Sequence, residues 1–475
     1  MTTAAAGEDS PLGRAIDEAD WSRFQIFVLV LVSLAFIIEG LTNQLISLSV
    51  PALMKAWNLP REPFALPLAV GLVGVAAGNA LGGMIGDRIG RRGGIMWSIV
   101  VIGFMNFATA LSPNLAVLTA VRLAAGLGLG ALIPNCATLV AEFTPQRRRA
   151  FAVAFSLLFV PLGIVAAGVL ASAILPAYGW RALSVAGGVI PFFAAVFFWF
   201  LLPESPRWLA RDSVNRARLS HLLARMGLQL PALAPAPSAH GGRQKHGLAE
   251  LFSPAFRRDT LCLWGMGFFA YMTSYIILNW APAMLAGQGL GLDVTSRSLS
   301  AWSLGGFGSP LIGLAIQRYG SRRALGGFSL TAAAGTFVLM SLPLESQQIL
   351  WFMAMLLVEN IFVVGLLGAV YVLATHIYPP AFRSTGTGAA SALGRLGAMT
   401  SAYAGVYSLH LGGPVGYFAC MTATSLLTFV FAMAIRNHIP APGEEGGITT
   451  PAYWARRFLP ARRGARTDPA REHIG

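Results

Sequence analysis

"GMIGDRIGRR", residues 83–92, returns as "GLAIQRYGSRR", residues 313–323, with Arg88 and Arg318 in register. Each copy is short, basic and rich in glycine. Each is flanked by apolar runs about as long as a membrane crossing, for which roughly 20 residues suffice. A weaker echo pairs "EFTPQRRRA" (142–150) with "HIYPPAFRSTG" (376–386). Parallel repetition over such a distance marks a chain of two like halves with a site between them.

Composition supplies the solvent. Of 475 residues, 55% are hydrophobic and 11% charged, and mean hydropathy is +0.63. A soluble chain carries about 25% charged residues, so a water-solvated enzyme, a disordered chain and a disulfide framework are all excluded. We read twelve helical spans, at about 24–48, 64–86, 95–112, 115–142, 150–172, 184–202, 259–283, 296–317, 324–343, 349–375, 385–409 and 414–435. Helices are required because lipid offers the backbone no partners. The fold class is therefore all-α polytopic, with two six-helix halves. The expected units are a tail 1–23, a half 24–202, a linker 203–258, a half 259–435 and a tail 436–475. The linker centre, "LQLPALAPAPSAHGGRQKHG" (228–247), has the composition of a mobile connector.

The net charge of +14 sits in clusters between spans, such as Arg147, Arg148 and Arg149, and not in a stripe interleaved with aromatics. That pattern fits a lipid bilayer as partner and excludes nucleic acid. Alternate loops carry the arginines, which places both termini in the cytoplasm. Cys136, Cys262 and Cys420 lie inside apolar runs without metal spacing. No metal site, cofactor loop or obligate protein partner is indicated.

Ionisable residues deep in spans are functional candidates. Glu39 lies some two-thirds of the way across span one, and Arg122 is well inside span four. Arg395 and Glu359 lie near mid-membrane in spans eleven and ten. Arg395 could grip a carboxylate through its planar fork, or be permanently paired with Glu359. Tyr275, Trp280, Trp302 and Tyr371 offer flat walls for a ring, and Asn279 a hydrogen bond to a ring substituent. In span four, Gly126, Gly128 and Gly130 leave room for close packing on more than one face.

The segment Gly83-x-x-Gly86-Asp87-Arg88-x-Gly90-Arg91-Arg92 resembles the loop between spans two and three of the major facilitator superfamily. The resemblance implies a cytoplasmic gate formed by Gly83, Gly86, Asp87, Arg88, Gly90 and Arg91, with Arg318 in the second copy. Asp87 can face the positive end of a neighbouring helix. "EGLTNQ" (39–44), "GLGLGALIPNCATLVAEFTPQRRRA" (126–150), "YIILNWAPAML" (275–285) and "YPPAFRSTGTGAASALGRLG" (378–397) together resemble the aromatic acid:proton symporter family. Thr42 stands where that family has a second acid. "PESPRWL" (203–209) also resembles sugar porters and organic-cation carriers.

The resemblance implies a bacterial inner-membrane carrier, not an enzyme, that takes up an aromatic carboxylate with protons. Glu39 and Glu142 are expected in proton coupling. Arg395, Arg122, Glu359, Asn279, Trp280 and Tyr275 are expected at the substrate. The alternative keeps the fold and changes the solute to a sugar, an organic cation or a drug, possibly exported.

Overall fold

In the computed structural model, the described residues are 11–211, 213–229, 248–342, 349–379 and 383–442. The helices of the first half are α1 (Pro11–Asp17), α2 (Arg23–Trp57), α3 (Ala65–Ile89), α4 (Arg91–Ala110), α5 (Leu115–Phe143), α6 (Gln146–Leu157) and α7 (Phe159–Leu201). Then come α8 (Pro206–Leu209) and α9 (Arg216–Met226). The second half holds α10 (Arg257–Gly287), α11 (Leu292–Leu304), α12 (Pro310–Ser341), α13 (Ile349–Ile377) and α14 (Arg383–Ala434). No strand occurs among the described residues.

Local chemistry sets the ends. Ser22 and Gln25 form a reciprocal capping box that starts α2, and Asn58, in the left-handed conformation, ends it. Asn114 caps α5 by accepting from the Val117 amide at 3.0 Å.

Nine continuous helical runs among the described residues are long and apolar enough to cross a membrane. Three of them contain a break: Gly179 in α7, Gly320 in α12 and Gly413 in α14, each with positive φ. A straight helix as long as α14, 52 residues, would be more than twice the roughly 30 Å hydrocarbon thickness. Turning at each glycine gives the twelve spans, with α11 and the start of α12 together making the eighth. The loops expected at 173–183, 318–323 and 410–413 are thus mostly helix, bent at one residue that only glycine adopts without strain. Gly90, φ 94°, does the same between α3 and α4. The pattern of buried, half-buried and exposed positions is identical over 81–90 and 311–320, so the sequence echo is an echo of structure.

Helices cross where side chains are missing. A Cβ on Gly74 would lie 2.2 Å from the Leu123 carbonyl oxygen, and one on Gly126 would lie 2.2 Å from that of Gly71. Gly130 meets α3 in the same way, while Gly128 faces α4 at Ser98 and Ile102. Span four is narrowed on two faces, as its spacing requires. Gly40 and Gly163 bring α2 and α7 together equally closely, and Gly397 brings α14 onto the Phe268 carbonyl of α10. Between halves, α2 packs on α10, α3 on α14 and α7 on α11. Outside, Phe193, Phe200, Trp351 and Leu411 are among many large apolar side chains left exposed, a surface suited to lipid.

The connector contains more structure than its composition suggests. In α9, Leu219, Leu222, Leu223 and Met226 are buried, in the same apolar cluster as Leu12 and Ile16 of α1. Both short helices cover the arginine-rich end of the first half. The Pro-rich centre, 230–247, lies outside the described residues, as does the tail from 443.

Gly90 and Gly83 separate conformational need from mere composition. A Cβ on Gly90 would lie 2.2 Å from Glu204 Oε2, and its φ disfavours any side chain, whereas one on Gly83 would meet nothing within 4 Å. We expect Gly90→Ala to cost about 1–3 kcal/mol and Gly83→Ala to be near neutral, read as thermal unfolding of the purified protein in detergent.

Candidate functional site

A narrow cleft lies between the halves. Its lining comes from α2 (Asn43, Gln44, Ile46, Ser47), α3 (Leu68, Gly71, Leu72), α5 (Arg122) and α10 (Tyr275, Leu278, Asn279). At its widest it has room for about one water molecule, so a solute enters only if helices separate. Glu39, Asn43 and Ser47 follow one another at four-residue spacing along one face of α2. Gln44 closes the cleft by donating to the Leu278 carbonyl at 2.9 Å, across the halves. Asn279 donates to Ser401 Oγ at 3.2 Å.

Arg122 is 6% exposed, and its Nε is buried without a partner. The guanidinium lies over Gly71, where an added Cβ would sit 3.5 Å from Nε. Thr42, in place of the family's second acid, spends its hydroxyl on the Ile38 carbonyl of its own helix at 2.7 Å. It leaves no charge there.

Towards the arginine-rich end lies a second group of polar side chains. Glu39 is buried at the α2–α7 crossing, and its charge interacts across space with Arg395 of α14 and with Tyr275. No ion pair within 4 Å joins Glu39 to Arg395, and Arg395 has no hydrogen-bond or ion-pair partner among the described residues. Tyr271 and Tyr275 stack with ring centroids 6.3 Å apart. Tyr271 Oη lies 3.4 Å from Tyr371 Oη, which lies 3.1 Å from Ser391 Oγ. Gly394 makes room for the Tyr271 ring. The result is a half-buried arginine facing phenol rings and one distant carboxylate.

Two expected substrate contacts lie elsewhere. Trp280 is fully buried and donates to the Ala402 carbonyl at 2.8 Å, with its ring against Gly405. Its neighbour Asn279 is about 100° away around the helix and faces the cleft. Glu359 does not pair with Arg395. It accepts from Trp302 Nε1 at 3.1 Å, deep between α11 and α13.

At the arginine-rich end, the residues expected to form a gate meet partners from beyond span six. Arg91 Nη2 pairs with Asp87 Oδ1 at 2.5 Å, and its Nε lies 4.0 Å from Glu142 Oε1. Arg211 donates to the Asp87 carbonyl at 2.7 Å. Ser205 donates to Glu142 through its hydroxyl and caps α8. Glu204 Oε1 accepts from the amides of Arg92, at 3.1 Å, and Ser205, at 2.8 Å. The anion at the N-terminus of α4 is therefore Glu204, not Asp87. Asn135 sits against Gly86 and Gly94 and donates to the Gly82 carbonyl at 2.9 Å. Arg88 and Arg318 are exposed. Arg318 lies 5.6 Å over the Tyr319 ring, and Arg88 has no hydrogen-bond or ion-pair partner among the described residues. Glu142, expected in proton coupling, belongs to this network. Sequence reasoning missed Glu204, Ser205 and Arg211. The signal for Ser205 was the Ser-Pro pair, a helix start; Arg211 had none.

The second copy is fastened by the chain after span twelve. Ser321 donates its amide to the Ile439 carbonyl at 2.8 Å and accepts from the Ile439 amide at its Oγ, 2.7 Å. His438 Nδ1 lies 3.0 Å from Ser321 Oγ, and Asp259 accepts from the Arg436 amide at 2.7 Å.

The family model described as Major Facilitator Superfamily matches residues 32–308 and 263–470. The gallate transporter of Pseudomonas putida is 29% identical over 435 residues, covering 90% of this chain and 95% of its own. The 4-hydroxybenzoate transporter PcaK of Acinetobacter baylyi is 30% identical over 401 residues, covering 83% and 87%. Among solved structures, the inward-open xylose transporter XylE from E. coli superposes with a TM-score of 0.67 at 17% identity, over 91% of this chain and 99% of that one. That likeness speaks to fold alone.

Burial, with Arg322 and His376 nearby, holds the His438 imidazole below its ordinary 6.5, at about 4. The unfolded chain thus binds the extra proton first as pH falls, so this contribution is whole above pH 6.5 and is lost on descent towards 4. We expect the melting temperature of wild type to fall more than that of His438→Gln between pH 7 and pH 5.

Proposed function

The chain belongs to the major facilitator superfamily, and we propose that it takes up an aromatic carboxylate together with protons, by alternating access of its two halves. The observation that carries this reading is Arg395, an arginine without a partner among the described residues, facing tyrosine rings and lying within electrostatic reach of buried Glu39. A half-buried cation with an unused planar fork suits a carboxylate, and the flanking rings suit the flat face of an aromatic acid. Relatives named for gallate and 4-hydroxybenzoate support the same solute class.

In this scheme Arg395 meets the carboxylate, and Arg122, with Asn279 and Tyr275, guides it through the cleft. Glu39 takes the proton. While Glu39 is ionised it competes with the solute anion for Arg395. Once protonated it frees that arginine, so proton and anion each favour the form that binds the other, as linkage requires. Opening at one end breaks the Gln44–Leu278 bond. Opening at the other loosens the packing near Tyr371. The Asp87–Arg91–Glu142 network, held by Glu204, Ser205 and Arg211, fastens the arginine-rich end. By the charge rule for loops that end is cytoplasmic, with both termini on the same side. The membrane is the bacterial inner membrane, and one chain suffices.

Uptake of radiolabelled benzoates by cells making the protein tests this. We expect protonophore-sensitive uptake that falls about tenfold or more in Glu39→Gln and Arg395→Ala, a loss of at least about 1.4 kcal/mol of binding or coupling each. Arg395→Lys should also fail to restore uptake, because an ammonium lacks the fork. No uptake of any aromatic acid, with the protein in the membrane, would turn the search to sugars, cations and efflux.

A further inference from the structure

A second carboxylate remains outside this scheme. Glu359 of α13 is 1% exposed, and so is its neighbour Asn360. Both are held by one residue of α11: Trp302 Nε1 donates to Glu359 Oε2 at 3.1 Å, and Asn360 Nδ2 donates to the Trp302 carbonyl at 2.6 Å. Glu359 Oε1 and Asn360 Oδ1 are left buried without partners among the described residues. Each of these adjacent buried residues thus keeps an acceptor to which no described residue donates, and a proton on Glu359 would remove one of the two deficits.

No cation supplies the balance. From α11 Glu359 is faced by Trp302, and from α12 by Gly335, whose added Cβ would lie 3.7 Å from Glu359 Cβ. From α14 it is faced by Tyr417, with Cys420 beside that ring. The Tyr417 hydroxyl is spent on the Ile276 carbonyl at 3.0 Å. Gly305 of the 305–308 turn packs against the Leu357 carbonyl and Asn360. No Lys, Arg or His among the described residues acts on Glu359. An ionised carboxylate so enclosed would cost several kcal/mol. A metal cation is not favoured, because only two oxygens are free where a hard cation takes about six.

We propose that Glu359 is a proton-binding site of the second half, distinct from Glu39, whose occupancy is tied to the contact between halves. The tie is Ser303, next to Trp302, whose hydroxyl donates to the Pro161 carbonyl of α7 at 2.9 Å. Gly306 also packs on Pro161, and Gly168 of α7 on Ser300 of α11. Ionising Glu359 demands water, and water reaches it only if α11 moves off α13. That movement shifts the same helix on α7. Proton release at Glu359 and separation along the α7–α11 seam are therefore one event.

The functional consequence rests on the proton-coupled reading above, and two readouts keep the two apart. The first is infrared difference spectroscopy of the purified protein. Wild type should show the carbonyl stretch of a buried carboxylic acid that titrates with pH. The band should be absent from Glu359→Gln, and its midpoint should move in Trp302→Phe, which keeps an aromatic ring there and removes the N–H. The second is transport in proteoliposomes. Glu359→Gln should exchange labelled for unlabelled solute yet accumulate it less steeply under a proton gradient, with about one proton fewer per solute. A band unchanged in Glu359→Gln, one that never titrates while coupling in Glu359→Gln stays normal, or one that responds to sodium rather than pH overturns the proposal. If wild type moves no solute with protons but the Glu359 band titrates, the transport reading fails and the site stands.

Discussion

The carbonyl oxygen of Val160 occupies the place where a side chain on residue 40 would begin. Bare backbone against bare backbone, at Gly40 with Gly163 and at Gly74 with Gly126, is the constraint on which the first half depends. Lipid gives apolar helices no reason to leave it for one another, so their association rests on packing and interhelical polar contacts. The same crossings set the chemistry. Glu39 is next to one, and Arg122 is one turn before the other, with its guanidinium lying where Gly71 has no side chain. A single added methyl at these points would move the charges as well as the helices.

Much of this was legible in the sequence because the bilayer simplifies the problem. Span number, the two halves and the glycine faces of span four follow from hydropathy and spacing. Arg122 and Arg395 stood out because a charged group at depth must face protein or water, and Tyr275 and Asn279 for their fit to a ring; Arg122, Tyr275 and Asn279 line one cleft. What stayed hidden depended on direction or on distant partners. Trp280 and Asn279 are adjacent in sequence and look equally suited to a ring, yet one helical step turns the indole into the α10–α14 packing. Glu359 and Arg395 share a depth, which suggested a pair. Depth says nothing of which side of a helix faces which neighbour, and Trp302 holds the acid instead. Glu204 and Arg211 lie in a polar stretch whose periodicity carries no hint of the turn they fasten.

The site divides labour between distance and contact. Glu39 and Arg395 act on each other through space without touching, so on the proposed reading a solute carboxylate would come between them without first breaking a bond. The residues expected at the gate are the opposite: Asp87 is bonded directly to Arg91 and, through its carbonyl, to Arg211, and Glu142 is bonded to Ser205. In the proposed cycle, the interactions exchanged at each turnover would be the loose ones, and those that hold one end closed the direct ones.

The turns at Gly90 and Gly320 share a backbone shape and a pattern of burial, but not a fastening. In the first half a carboxylate, Glu204, reaches the turn. In the second, the backbone around Ile439 lies on it and bonds Ser321. Each half has used whatever chain follows its sixth crossing. Ionic strength acts on the first clasp, made of charges, far more than on the second, made of amides. The six-helix unit thus dictates where its clasp sits and leaves open what the clasp is made of, so halves of one shape can answer differently to the medium at their mouths.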